Sequence, residues 1–187
     1  GVAAVTAGPG VTNTLTAVKN AEMAQSPVLI LGGATPTVLK GRGALQDIDQ
    51  LSMMRPITKW ATSVARVQAL GPTIDKALRI AREGVPGPVF VEVPVDLLYP
   101  EEIVRGWYIK EAGLEDAKNM AAKALGLYVK AHLARQFQAP HLGIDVPTPP
   151  VRDVVANTLG DVAQVAAKVR AAQRPVLVIG SQALVNY

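Results

Sequence analysis

Four short apolar runs punctuate the chain: Val2–Val5, Val28–Leu31, Val89–Val93 and Val176–Ile179. Three are rich in β-branched residues and bounded by Gly or Pro. Uninterrupted apolar runs of this length predict strands covered on both faces, as in a parallel sheet. Between them the period changes to that of helices. Val11 to Gln25 opens after a Pro-Gly pair and closes before Ser26-Pro27, a stop signal. Gly71 to Gly84 carries Pro72 in its first turn, where a missing N–H costs nothing. It sets Ile74, Leu78 and Ala81 on one face. Asp161 to Ala172 repeats the pattern with Val162, Val165, Ala166 and Val169. Alternating strand and helix predicts an α/β layered fold with right-handed crossovers.

After Pro100 the pattern weakens. Residues 101–150 hold Pro140, Pro147, Pro149 and Pro150 around one helix-like stretch, Leu114 to Phe137. This reads as an interdomain linker with an embedded helix. The alternation resumes at Val151, so three regions are expected: a domain over 1–100, the linker over 101–150, and the start of a second α/β domain over 151–187. The chain opens inside one strand-like run, without Met, and closes just after another. An internal piece of a longer protein is therefore expected.

Composition narrows the options. Of 187 residues, 49% are hydrophobic and 18% charged, which excludes a disordered segment. The net charge of +4 is the small difference between 19 basic and 15 acidic residues. No Lys/Arg cluster is interleaved with aromatics, so nucleic-acid binding has no support. Cysteine is absent, which excludes disulfides, thiolate metal sites and a Cys nucleophile. No apolar run approaches the roughly 18 residues of a membrane span.

The chemistry-bearing segment is Thr6 to Asn13, a strand running through Gly8-Pro9-Gly10 into a helix. Glycines let the backbone approach a ligand and adopt positive φ, and Pro9 stiffens the bend. Thr12 or Asn13 is placed to cap the helix or bond a ligand. Alone, Gly-Pro-Gly equally suits an ordinary tight connection.

It is followed by Ser26-Pro27-Val28-Leu29-Ile30, then Gln46-Asp47-Ile48-Asp49, then Val85-Pro86-Gly87-Pro88-Val89-Phe90-Val91-Glu92-Val93-Pro94-Val95-Asp96. In order and spacing this series resembles the three-layer, parallel-sheet pyrimidine-binding domain of thiamine-diphosphate enzymes. The relevant group holds the acetolactate synthases, oxalyl-CoA decarboxylases and 2-hydroxyacyl-CoA lyases. The resemblance is strong to about residue 100 and returns at Arg174 to Gln182, similar to the opening strand of the group's central domain. Gly41 to Leu51 and Gly180 to Leu184 most resemble the acetolactate synthase-like branch of animals.

The resemblance implies a thiamine diphosphate cofactor whose pyrimidine sits in a dry slot, the cofactor performing the hard step. It implies that Gly8, Pro9, Gly10 and Asn13 lie beside the cofactor as positioning residues. Gln46 matches a glutamine that faces the active-site cavity in the group and is the candidate catalytic residue. Leu45 and Asp47 stand where many members have Phe and Glu. A solvated helix start is the alternative for Gln46-Asp47. The group's activating glutamate falls before Gly1, and no Gly-Asp-Gly metal motif is present; Gly160-Asp161-Val162 does not match. Mg2+ and the diphosphate would thus be held outside this chain, which alone should be inactive, and FAD, tied to the central domain, stays open.

As a whole protein, the resemblance implies a lyase cleaving 2-hydroxyacyl-CoA to formyl-CoA and an aldehyde one carbon shorter, as in fatty acid α-oxidation. An acetolactate-forming carboligase acting on 2-oxo acids and a non-catalytic module of the same fold are the alternatives. It further implies a homo-oligomer, dimer or tetramer, with the active site at a subunit interface. The endoplasmic reticulum membrane is the implied location, or the cytoplasm for a bacterial homologue.

Three further features stand apart from the motif. His132 and His141 have no second ligand at metal spacing, so packing or surface roles are expected. Glu92, inside a strand-like run, is expected at an exposed edge or strand end, because burying an unpaired carboxylate is costly; a polar contact at a domain or subunit interface is the alternative. Lys118 to Phe137 is basic and amphipathic. It suits a membrane surface or, as its interdomain position favours, a neighbouring domain.

Overall fold

The computed structural model describes residues 1–114, 120–138 and 159–178. The chain divides into two compact units, Gly1–Pro140 and His141–Tyr187.

The first unit is built on a sheet of four parallel strands in the order β1-β2-β4-β3. The strands are β1 (Val2–Val5), β2 (Leu29–Ala34), β3 (Trp60–Ser63) and β4 (Val89–Pro94). Leu29 is in register with both Val2 and Val89, and Trp60 with Val89. Every residue of β4 is buried, the mark of a strand covered on both faces. The alternation within it sorts the core. Val89, Val91 and Val93 face helix α4 (Leu70–Arg82), meeting Ala77 and Ala81. Phe90, with Ile30 of β2, faces Val11, Val18 and Met54. Those come from helices α1 (Pro9–Thr12), α2 (Leu15–Met23) and α3 (Gln50–Met54). Each fully buried Val or Phe contributes roughly 1.5–3 kcal/mol. The expected α/β class, a parallel sheet with helices on both faces, is what the chain adopts.

Some boundaries differ, for physical reasons. The helix expected over Val11–Gln25 is two helices broken at Asn13-Thr14. There the Thr12 and Thr14 hydroxyls donate to the carbonyls of Pro9 and Val11 at 3.2 and 2.7 Å, competing with helix continuation. Trp60 begins β3 and packs on the α4 side, with the Lys76 ammonium 4.9 Å from its ring centre.

Among the described residues of 101–150 there are two helices rather than one: α5 (Glu101–Glu111) and α6 (Met120–Gln136). Pro100 is the N-cap of α5, Glu101 and Glu102 occupy its first turn and Lys110 its last, an order that suits the helix dipole. Val104 and Tyr108 of α5 meet Val129 and Leu133 of α6, with Val38 packed against them. The segment therefore carries a small core of its own.

In the second unit the expected helix is present as α7 (Leu159–Ala171). Its apolar residues Val162, Val165 and Val169 are exposed. The strand expected from Val176 is not formed over residues 175–178. The described residues of the second unit include no strand to complete a ladder, and Val176 to Val178 are open to solvent. Ile179, the Gly180–Leu184 segment and the proline-rich stretch with His141 lie outside the described residues.

Candidate functional site

In an open parallel sheet, ligands bind beyond the carboxyl ends of the strands. A cavity of about 560 Å³ lies there, walled by Thr6 and Ala7 after β1, by Gly32 to Ala34 of β2 and Thr35 after it, and by Leu45 and Gln46. Its wall is mainly apolar, as small-molecule sites commonly are.

Gly8 follows this wall at φ +61 and is buried. A Cβ there would sit 2.9 Å from the Cβ of Gln46, and one on Gly10 would sit 2.7 Å from Thr6 Cγ2. Both positions of the bend thus require glycine. Pro9 occupies the first turn of α1. Gln46, separated from Gly8 by α1, α2 and β2, is brought against it. It lies in a turn, not at a helix start, and holds φ +63, uncommon for a residue with a side chain. Strain of this kind, roughly 1–3 kcal/mol, persists where the surroundings enforce it and clusters at functional sites. Beside it Leu45 is 89% exposed on the cavity rim. None of Gly8, Pro9, Gly10 and Asn13 lines the cavity; Asn13 is exposed at the end of α1.

What fixes the bend is a residue to which the sequence assigned no role. Gln50, the first residue of α3, is buried. Its Oε1 accepts the Gly8 N–H at 2.8 Å, and its Nε2 donates to the Gly33 carbonyl and to Glu92 Oε2, both at 3.0 Å. One amide therefore ties the bend to β2 and β4. Asp49 caps α3, accepting from Ser52 N at 3.1 Å and Ser52 Oγ at 2.5 Å. Those bonds hold its carboxyl below the ordinary range. Glu92 is not at an exposed edge: it is 1% exposed in the central strand β4. Lys40 pairs with its Oε1, so the cost of burying the charge is met by a cation and an amide. No pattern in the sequence foretells this arrangement, because all its members come from different elements.

A second polar cluster lies outside the cavity wall. Asp96, fully buried just beyond β4, accepts on Oδ2 from Thr37 N (3.0 Å), Thr37 Oγ1 (2.6 Å), Tyr108 OH (2.6 Å) and Gln136 Nε2 (2.7 Å). His132 Nε2 meets Thr37 Oγ1 at 2.7 Å. With the hydroxyl proton given to Asp96, that histidine nitrogen is the donor. Asp96 Oδ1 and Gln136 Oε1 are buried with no hydrogen-bond partner among the described residues. Burial, then the bond and charge of Asp96, push the Tyr108 phenol well above its ordinary range. Burial lowers the His132 pKa, against the pull of Asp96 and with the help of Arg135. His132 thus has the packing role expected of it. Among the described residues no three His, Cys, Asp or Glu side chains could hold a metal ion.

Residues 1–53 match the family described as thiamine pyrophosphate enzyme, N-terminal TPP binding domain. The chain is 50% identical over 187 residues, 98% of its length, to 2-hydroxyacyl-CoA lyase 2 of Caenorhabditis elegans. It is 46% identical over 190 residues to the human protein of that name. It spans 28% and 29% of the lengths of these curated relatives. Against the acetolactate synthase large subunit IlvG of Mycobacterium tuberculosis the identity is 40% over 96 residues, 51% of this chain and 18% of that one.

Proposed function

The chain belongs to the thiamine pyrophosphate enzyme family, and on that premise we propose that it forms part of a carbon–carbon lyase. The reaction proposed is R–CH(OH)–CO–SCoA to R–CHO plus H–CO–SCoA: the bond between C1 and C2 breaks, and the hydroxyl proton's equivalent ends on the formyl carbon. The identity to relatives named 2-hydroxyacyl-CoA lyase 2 runs over nearly the whole chain, and this favours the lyase.

The observation that carries the cofactor role is the bend itself. Gly8 and Gly10 leave no room for a Cβ, and Gly8 meets Gln46 at the mouth of a largely apolar cavity. These residues fit a flat heterocycle held by backbone and excluded from water. When bound, thiamine diphosphate supplies the nucleophilic carbon that adds to the substrate carbonyl. The chain's own part is to bind and orient: Gly8, packed against Gln46, and Gly10, packed against Thr6, shape the bend, Gln50 fixes it, and Gln46 offers an amide at the cavity. Magnesium and the diphosphate are assigned to residues outside this chain. Exposed Leu45 and strained Gln46 on the rim support a partner subunit closing the site in a homo-oligomer.

The partial match to an acetolactate synthase subunit favours a second reading, a carboligase acting on 2-oxo acids. Incubating the intact polypeptide with a 2-hydroxyacyl-CoA and, separately, with pyruvate tests both. Formyl-CoA and aldehyde are expected. Acetolactate without aldehyde would select the carboligase.

A further inference from the structure

Helix α6 is apolar on two opposite sides. Val129, Leu133 and Gln136 are its buried residues, and Val129 and Leu133 meet α5. On the opposite face, at helical spacing, stand Met120, Ala124, Leu127, Ala131 and Ala134, all exposed. Met120 is 82% and Leu127 70% open to solvent. Ala124 between the two long apolar side chains, with Ala131 and Ala134 beyond Leu127, keeps this stripe shallow. Lys123 and Lys130 border it on one shoulder and Arg135 on the other, and Met120 to Gln136 contains no acidic residue. None of the three cations pairs with a carboxylate among the described residues.

The shoulders carry further features. Tyr128 borders the stripe on the Arg135 side and shares a groove with Trp107 of α5. Both rings are partly exposed, at 52% and 40%. On the lysine side a groove of about 460 Å³ between α5 and α6 is lined by Arg105, Lys123 and Lys130 and by no acidic residue.

From this arrangement we infer that α6 is a peripheral docking face for an anionic lipid bilayer. The apolar stripe enters the headgroup boundary, the lysines extend along it to reach phosphates, and Tyr128 and Trp107 sit where one end of a ring is apolar and the other wet. The helix lies on the surface and does not span it: no described helix is long and apolar enough to cross a membrane. A protein partner is the weaker fit, because three cations with no carboxylate partner among the described residues, on a helix with no acidic residue, match an anionic surface. The inference is independent of the coenzyme reading.

Co-sedimentation of the 187-residue chain with phosphatidylcholine vesicles, with and without one third phosphatidylserine, is the test. Binding is expected only to the anionic vesicles and should fall with salt. Leu127→Glu should lower partitioning at least about tenfold, and Lys123→Gln and Lys130→Gln roughly fivefold each. All three positions are exposed; an unchanged thermal melt checks the fold, and the lysine variants stand if Leu127→Glu misfolds. Absence of vesicle binding, or binding untouched by these changes, overturns the inference. So does a dimer in light scattering that Leu127→Glu abolishes while vesicles take up nothing, which would assign the face to a second copy.

Discussion

Glu92 and Asp96 are two buried carboxylates at one end of one strand, and they are satisfied in opposite ways. Glu92 has a cation on one oxygen and the Gln50 amide on the other. Asp96 gathers four neutral donors on a single oxygen and leaves the other without one. The Lys40 side chain is 44% exposed, so the first cluster reaches water at one end, whereas Asp96 at the centre of the second is fully buried. They also serve different ends. Glu92 backs the glycine bend through Gln50. Asp96 fastens α5 and α6, through Tyr108 and Gln136, to the loop after β2. A buried charge paired with a cation can lean on a neighbouring site, while one held by neutral donors depends on every partner staying in place.

The comparison breaks most visibly at Asp96. Asp96→Ala strands the Tyr108 hydroxyl, Thr37 and the Gln136 amide, and should cost about 3 kcal/mol. The loss should be local: hydrogen exchange should quicken over α5 and α6 and not over the sheet. Glu92→Ala should cost less, about 2 kcal/mol in urea denaturation, because Lys40 can turn to solvent. Its exchange signature should lie at Gly8 and α3. A larger loss for Glu92→Ala, or one shared pattern for both variants, would erase the distinction.

A smaller effect is expected at the bend. Gly8→Ala places a Cβ 2.9 Å from Gln46 at φ +61 and should destabilise by roughly 1–2 kcal/mol. Gly41, also at positive φ but with open space around it, should lose only the strain, about 1 kcal/mol.

The smallest effect is in pH. Burial lowers the His132 pKa from 6.5, so the unfolded chain binds a proton that the folded chain resists. Its stability contribution is full above 6.5 and is lost as pH falls from there through the lower folded pKa. The Tyr108 shift runs the other way: raised from 10.0, it favours the folded state below that value and weakens it as pH climbs above. Docking of α5 and α6, followed by Trp107 fluorescence, should therefore loosen below about pH 6.5 and above about pH 10. His132→Gln should flatten the acid limb only.

The central strands were legible because a strand buried on both faces leaves a dense apolar run, as at Val89–Val93. The helix α4 was legible from Pro72 and the spacing of Ile74, Leu78 and Ala81. Helix α5 was passed over although Pro100, Glu101, Glu102 and Lys110 marked its ends, since its buried residues, Val104 and Tyr108, are too few to show a stripe. The run from Val176 read as a strand, but a strand needs a neighbour, and the described residues of the second unit supply none. At the site, Gly8 and Gln46 were singled out by a motif, while their contact is tertiary. Gln50 and Lys40 escaped because each is unremarkable in its own segment, and Glu92 stood out in its run but was placed at an exposed edge; only folding makes them one unit.

Calorimetric titration of the intact polypeptide with thiamine diphosphate and magnesium, wild type against Gln50→Ala, tests the account most directly. Saturable uptake by the wild type and at least about tenfold weaker uptake by the variant, equivalent to the loss of one bond to the bend, is the result expected. No uptake by the wild type, or equal uptake by a folded Gln50→Ala protein, would contradict it.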